Sequence, residues 1–171
     1  NLYDRRLMKM FEAPLLTAMP DGSGLPFNDN GGEDLSRQCA LYEIGYAMYD
    51  SERRGRVAGA ASKRESIEAL LFGKEELPTG SFVPAGSIVQ PEAGVAVLRA
   101  RDSAVAVRFG RHGGGHGHFD KLNIVTFFGG RTWGHDPGAD YSSPLQDEWY
   151  TTTLAHNTVT VSQRTQNGVN S

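Results

Sequence analysis

The chain has 171 residues, 39% of them hydrophobic and 22% charged, with a net charge of −3 and a single cysteine. These values describe an ordinary folded domain, argue against general nucleic-acid binding and exclude an internal disulfide. No apolar run approaches the roughly 18 residues that a membrane span needs. The sequence begins with neither an initiator methionine nor a signal peptide. We therefore expect a fragment of a longer protein, with no membrane span.

The first part of the chain predicts helices. Apolar residues recur at helical spacing over residues 2–15 and again over residues 35–49, and a loop rich in Gly, Pro, Asn and Asp separates the two segments. A third helix is predicted to begin at Ser62, which forms a capping box with Glu65, and to end near Gly73. About 75 residues of helix cannot enclose a substantial core by themselves, so we expect these helices to pack on other elements.

After Pro78 the apolar period changes from that of helices to that of strands. Five short β-rich runs, separated by turn residues, each predict a strand: "GSFVPAGSIVQ", "AGVAVLRARD", "SAVAVRFGR", "LNIVTFFGG" and "HNTVTVSQ". The second and third runs are joined through "RDS" and predict an antiparallel hairpin. Helices first and strands afterwards predict an α+β chain, with one domain over residues 1–76 and a second, truncated domain over residues 77–171.

The stretch "RHGGGHGHFDKLN", at residues 111–123, contains three histidines and four glycines. It lies in a basic segment, since residues 99–131 include six basic and two acidic side chains. Such a segment favours an anionic ligand although the whole chain is acidic. If the stretch is extended, His116 and His118 point to the same side and line one wall.

Two histidines and a carboxylate form a zinc site in many proteins. Downstream of the HxH pair, "WGHDPG" offers His135 and Asp136, "LAHNTVTV" offers His156, and Asp120 could orient one histidine. The alternative is a set of hydrogen-bonded histidines without a metal. HxH pairs also occur in cupins and amidohydrolase-type barrels, but a cupin places a glutamate a few residues later and a barrel alternates strands with helices.

Three segments carry a resemblance to a known family: "HGHFDKLNIVTFFGG", "HDPG" and "EWYTTTLAHNTVTV". In order and spacing they resemble the central β-sheet domain of the heparinase II/III-like polysaccharide lyases, a group that includes oligoalginate lyases. "SFVPAGSIVQPEAGVAVLRARD" resembles the strand pair that opens this domain. The upstream helices resemble the last helices of the α/α toroid that precedes it. The resemblance implies the C-terminal helices of a toroid followed by an antiparallel, β-sandwich-like domain.

The resemblance also implies roles for individual residues. His118, Asp136 and His156 match the family's zinc ligands, in a site described as structural, and His116 matches a histidine that faces the substrate. We therefore expect a structural zinc ion as cofactor and His116 as the catalytic residue. The family's tyrosine and Asn–His pair, which do much of the proton transfer, lie in earlier toroid helices and have no match in this chain.

By the same resemblance, the protein is expected to cleave a uronic-acid polysaccharide by β-elimination. The wording of "HGHFDKLN" and "DPG" favours alginate or oligoalginate over heparin or heparan sulfate. The residues expected to bind this anionic substrate are Arg108, Arg111, Lys121, Tyr141 and Tyr150. The alternative from another class is a non-catalytic, zinc-stabilised carbohydrate-binding domain. The family's habits imply a periplasmic or extracellular bacterial protein, and a homodimer is a candidate assembly.

Overall fold

The computed structural model describes residues 4–60, 63–83 and 86–168. The chain divides into two compact units, the first comprising Asn1–Gly24 and Asp34–Pro84 and the second Leu25–Glu33 and Ala85–Ser171. The sequence did not predict that a segment between two helices belongs to the second unit. The division into domains at residue 77 stays a prediction.

The first unit is helical. Its helices are α1 (Arg5–Thr17), α2 (Cys39–Tyr49), α3 (Glu52–Ala58) and α4 (Ile67–Phe72). Phe11 and Leu15 of α1, Tyr42 of α2 and Val57 of α3 are buried in one hydrophobic cluster. Helical spacing puts Phe11 and Leu15 on the same side of α1, so that this side faces the core.

Two of the predicted helices are confirmed in place and the third is shifted. A single 3₁₀ turn, Leu35–Gln38, precedes α2. The predicted start at Ser62, itself outside the described residues, is wrong because α4 begins at Ile67, where the Ser66 hydroxyl accepts a hydrogen bond from the backbone N–H of Ala69 at 3.0 Å. Gly73 ends this helix as predicted. The short helix α3 was not predicted.

The second unit contains an antiparallel sheet of five strands in the order β1-β2-β3-β4-β5. The strands are β1 (Ile88–Gln90), β2 (Val95–Ala100), β3 (Ser103–Arg108), β4 (Asn123–Phe128) and β5 (Arg131–Trp133). Ala100 pairs with Ser103, and Arg101 takes a left-handed conformation in the two-residue turn between them. The α+β class and the predicted hairpin are confirmed.

The predicted strand "HNTVTVSQ" is wrong, because the structure forms only an isolated bridge between Val161 and Arg164 there. Ser162 and Gln163 have positive φ angles of 54° and 55°, which interrupt an extended chain. Conversely, "RTW" forms the short strand β5, which was not predicted. In the first β-rich run only Ile88–Gln90 is a strand, and its residues 84–85 lie outside the described part of the chain.

One face of the sheet is buried and changes character along its length. Val97, Ala106 and Val125 lie side by side in register and are fully buried. Towards one end of the same face, Arg108 pairs with Asn123, and both side chains are buried as well. The sheet therefore holds polar groups at one end of an otherwise apolar face. No helix within the described residues has the length and apolar character needed to cross a bilayer.

Candidate active site

Three side chains of the second unit form what we call the buried triad: His118, Asp136 and His156. One potential ligand atom of each lies within 4.8 Å of the other two. The two imidazole rings are tilted against each other, with their centroids 5.1 Å apart. Residues from three separate loops thus converge on one buried point.

The polar end of the sheet holds the triad in place. Asn123, the first residue of β4, donates a side-chain hydrogen bond to Asp136 Oδ2 and accepts one from the backbone N–H of Asn157 at 3.2 Å. Asp136 Oδ2 also accepts a hydrogen bond from His156 Nδ1 at 2.8 Å. One buried amide therefore connects the sheet to the loops that carry Asp136 and His156.

The donor set of the triad fits a metal ion. The buried ring nitrogens His118 Nδ1 and His156 Nε2 have no hydrogen-bond partner among the residues that the structure describes. The other nitrogen of each ring is bonded to a carboxylate, His156 Nδ1 to Asp136 and His118 Nε2 to Asp29 at 3.0 Å. Since an ionised carboxylate only accepts hydrogen bonds, each ring carries its proton on the bonded nitrogen. The lone pair of the unpartnered nitrogen is left for a metal, a usual arrangement for histidine ligands.

Asp29 connects this buried cluster to two exposed side chains. Its Oδ2 accepts hydrogen bonds from His116 Nδ1, at 2.6 Å, and from the Tyr141 hydroxyl. Its Oδ1 faces His118 Nε2, and neighbouring Asn28 accepts a hydrogen bond from the backbone N–H of His118 at 3.2 Å. The His116 side chain is 82% exposed, whereas that of His118 is fully buried. Asp29 thus lies between a solvent-facing pair and the triad.

Hydrogen bonding sets the ionisation of this network. Burial opposes ionisation of the Asp29 carboxyl, but the hydrogen bonds from Tyr141, His116 and His118 outweigh it and lower the pKa of Asp29. The same hydrogen bond from Tyr141 to Asp29 raises the pKa of the Tyr141 phenol, with smaller contributions from desolvation and nearby negative charge. Asp29 is therefore an acceptor and Tyr141 a donor at neutral pH.

A second carboxylate, Asp120, lies deeper in the same unit. Arg108 Nη1 is 3.0 Å from Asp120 Oδ1, with both side chains almost completely excluded from solvent. Burial raises the pKa of the Asp120 carboxyl, and the Arg108 guanidinium opposes this rise. Arg108 Nη2 also donates to the backbone carbonyl of Arg111 at 3.0 Å. The guanidinium of Arg108 is thus engaged inside the domain.

Comparison with known proteins identifies the family. Residues 83–168 match the sequence profile described as heparinase II/III-like, C-terminal, which is half of the chain. The chain belongs to this heparinase II/III-like family. The family is one of polysaccharide lyases. A search of curated protein sequences finds no match.

Solved structures agree with this heparinase II/III-like assignment at the level of the fold. The heparan sulfate lyase HepC from Pedobacter heparinus is 18% identical, with a TM-score of 0.69, over 94% of this chain and 24% of its own. A heparinase III is 16% identical, with a TM-score of 0.69, over 94% of this chain and 27% of its own. The chain thus spans about a quarter of the length of these enzymes.

The predicted site residues of the heparinase II/III-like chain lie in three settings: the buried triad, the exposed pair of His116 and Tyr141 at Asp29, and other positions in the second unit. The expectation that His116 and His118 line one wall is wrong, because residues Gly114–His116 form a 3₁₀ turn and only His118 points inward. Tyr141 joins His116 at Asp29. Of the other predicted substrate-binding residues, Arg108 is buried, Arg111 is exposed, and Lys121 and Tyr150 are half-buried.

Sequence reasoning missed Asp29, Asn28 and Asn123. Asp29 lies 87 residues before His116, in a loop whose Gly, Pro, Asn and Asp content indicates only turns. Asn123 is the first residue of a strand, where a buried amide leaves no signal in the hydrophobic period. The basic stretch around the HxH pair was the available hint that a compensating carboxylate lies nearby.

Proposed function

We propose that the protein containing this chain is a lyase that cleaves uronic-acid-containing polysaccharides by β-elimination. The observation that carries the proposal is the exposed imidazole of His116, held by Asp29 and Tyr141 beside the buried triad in a heparinase II/III-like domain. Exposed ion pairs contribute little to stability. The two side-chain partners of His116 are therefore better explained by a need to fix the orientation of its ring.

The chemistry requires groups of this kind. In the elimination, a base removes the C5 proton, the C4–O bond breaks, a C4=C5 double bond forms, and an acid protonates the leaving oxygen. When the C5 proton leaves, negative charge develops on C5 and on the carboxylate attached to it. Positive charge or hydrogen-bond donors must stabilise this charge. His116 presents a solvent-facing ring for proton transfer or charge stabilisation, and Tyr141 lies beside it. The remaining acid and base come from parts of the protein outside this chain.

Cationic side chains near the site would bind the anionic polymer. Arg111 and Lys121 are the candidates for carboxylate or sulfate groups, since Arg111 is exposed and Lys121 partly so. Tyr150, at the end of the helical turn Gln146–Tyr150, is a further candidate for sugar contact. Arg108, predicted from the sequence to bind substrate, is proposed instead to hold Asp120 in place, because its guanidinium is occupied by that carboxylate.

We further propose that the buried triad holds zinc in a structural site. Two imidazoles and a carboxylate suit zinc better than the harder cations, which prefer oxygen ligands. Bound zinc would supply a fixed positive charge that ties together the loops carrying His118, Asp136 and His156. All three side chains of the triad are buried. Their burial supports a role in holding the loops together rather than in contacting the substrate.

Two polymers are candidate substrates. The residues of the motifs "HGHFDKLN" and "DPG" favour alginate or oligoalginate, whereas the similar solved structures are named as heparan sulfate lyase and heparinase.

Residues 1–76 are proposed to be the last helices of a toroid, and residues 77–171 the start of the β-domain. A periplasmic or extracellular location and a homodimeric assembly stay predictions.

The test is the ultraviolet absorbance of unsaturated product when the full-length protein meets polymannuronate, polyguluronate, hyaluronan and heparan sulfate in turn. We expect a rise on one polymer, which the substitution His116→Ala slows about 10²- to 10⁴-fold. No rise on any of the four, with metal still bound, would refute the lyase proposal and favour the carbohydrate-binding alternative. Equal activity of the His116→Ala variant would refute the role of His116.

A further inference from the structure

The shared carboxylate of Asp29 has a chemical consequence for the histidines on either side of it. An ionised carboxylate has no proton to donate, so every hydrogen bond that it makes is accepted. His116 approaches Asp29 through Nδ1, at 2.6 Å, and His118 approaches it through Nε2, at 3.0 Å. The two rings therefore carry their protons on opposite nitrogens.

We propose that Asp29 is a positioning residue that fixes opposite tautomers in His116 and His118. In His116 the proton is held on Nδ1, which leaves the Nε2 lone pair on the exposed side of the ring. In His118 the proton is held on Nε2, which leaves the Nδ1 lone pair inside the buried triad. The identity of the protonated nitrogen in a histidine follows from the hydrogen bond that it makes.

The position of Asp29 supports this role. It belongs to the same compact unit as both histidines, in the segment Leu25–Glu33. Its Oδ2 serves the exposed pair, His116 and Tyr141, and its Oδ1 serves His118. His118 Nδ1 lacks a hydrogen-bond partner among the described residues, as a nitrogen reserved for a metal would. Asp29 therefore acts through its neighbours and needs no contact with the substrate.

The effect of Asp29 on turnover rests on the proposed lyase function. If the Nε2 lone pair of His116 accepts a proton or a hydrogen bond from the sugar, a ring with the proton on Nε2 is the wrong form. Loss of a carboxylate that orients a functional histidine typically lowers activity or metal affinity roughly 10- to 100-fold. The cationic side chains proposed to bind the polymer are Arg111 and Lys121, so the loss is expected in kcat more than in KM.

The first measurement is made on the unmodified full-length protein. Solid-state NMR of protein labelled with ¹³C and ¹⁵N in histidine identifies the protonated nitrogen of each ring, and the spectrum of the His116→Ala variant assigns the His116 signals. At a pH where the ring is neutral, we expect His116 in the Nδ1–H form and His118 in the Nε2–H form. A wild-type His116 in the Nε2–H form would overturn the proposal, whether or not any variant folds.

The second measurement compares the Asp29→Asn variant with a matched control, Asp102→Asn, in the exposed β2–β3 turn. Since an Asn amide has one acceptor oxygen and one donor nitrogen, it cannot accept a hydrogen bond from both rings. We therefore expect Asp29→Asn to shift the protonated nitrogen of His116 or of His118 and to lower kcat roughly 10- to 100-fold, while Asp102→Asn does neither. Combined with His116→Ala, Asp29→Asn should slow the enzyme by less than it does alone, because part of its effect acts through His116. Unchanged tautomers in both His116 and His118, or an equally large effect of Asp29→Asn in the His116→Ala background, would overturn the proposal.

These outcomes separate the two proposals. If the protein cleaves no polymer, the proposed function is refuted, and the tautomers of His116 and His118 alone then decide the role of Asp29. If the protein is a lyase and the tautomers are not as expected, the positioning role is refuted while the proposed function stands.

Discussion

The buried ion pair between Arg108 and Asp120 leads to a prediction that separates a structural from a substrate-binding arginine. The substitution Arg108→Met keeps most of the aliphatic length of the side chain and removes the guanidinium. It leaves the carboxylate of Asp120 without the cation that lies 3.0 Å away. The side chains of Arg108 and Asp120 are 5% and 0% exposed, so water cannot replace the lost partner.

The expected loss of stability follows from this burial. Removing one partner of a buried pair costs about 3–5 kcal/mol, because the remaining charge is uncompensated. The hydrogen bond from Arg108 to the Arg111 carbonyl disappears as well, at a cost of about 1 kcal/mol. By contrast, the exposed Arg111 side chain can be removed at a cost within about 0.5 kcal/mol. Arg111→Met is therefore the matched control.

Urea unfolding of the full-length protein and steady-state kinetics test this reasoning together. Arg108→Met is expected to lower the urea midpoint with KM unchanged, whereas Arg111→Met is expected to raise KM with the midpoint unchanged. Adding Asp120→Asn to Arg108→Met should recover part of the lost stability, because it removes the unpaired charge. If Arg108→Met leaves the midpoint in place and raises KM, the guanidinium faces the substrate and our argument from burial is refuted.

Three further predictions follow from other parts of the molecule. His116→Ala is expected to lower kcat about 10²- to 10⁴-fold, as for a proton-transfer group, without changing the urea midpoint, since its side chain is 82% exposed; a shifted midpoint would contradict this. Removing the metal with a chelator is expected to lower the urea midpoint of the unit that contains the buried triad; an unchanged midpoint after complete removal would show that no metal stabilises it. Burial raises the pKa of the Tyr42 phenol from its ordinary value of 10.0 to about 12, and its hydroxyl donates to the Phe11 carbonyl at 3.0 Å. Tyr42→Phe should therefore cost about 1 kcal/mol at neutral pH, and the difference should shrink as pH rises from 10 towards 12, where only the wild type must keep a phenol protonated; a constant difference in urea unfolding over this range would refute it.

The strands and the buried triad could be predicted from the sequence because each depends on local or repeated signals. Alternating apolar residues mark β2, β3 and β4, and these strands lie where the sequence places them. For the triad, the HxH pair and two later polar motifs offered candidate ligands, and the resemblance to the heparinase II/III-like family selected His118, Asp136 and His156, whose potential ligand atoms lie within 4.8 Å of one another. Such signals are visible in a single sequence because a strand with one buried face needs alternating apolar residues, and a metal site needs histidines and carboxylates.

The failures share a different cause, since they depend on which segments meet in space. "HNTVTVSQ" has the composition of a strand, but among the described residues it forms only an isolated bridge, and Val159 and Val161 are exposed. "RTW" is only three residues long, too short to show an alternating pattern, and becomes β5 because it folds back on β4. Asp29 resembles any aspartate of a turn, and only the fold places it beside histidines 87 and 89 residues later.

The position of Asp29 also bears on how the buried triad and the exposed histidine depend on each other. Without a metal, the buried nitrogens His118 Nδ1 and His156 Nε2 are unsatisfied, at a cost of about 1–3 kcal/mol each. A metal held by these two nitrogens would remove this cost and fix the His118 ring, so that its Nε2 proton points to Asp29. His118 would then hold Asp29 through Oδ1, while Oδ2 of the same carboxylate orients the His116 ring. If the triad holds a metal and His116 acts on the substrate as proposed, one carboxylate connects the two, and stability at the triad and orientation of the His116 ring are then expected to change together.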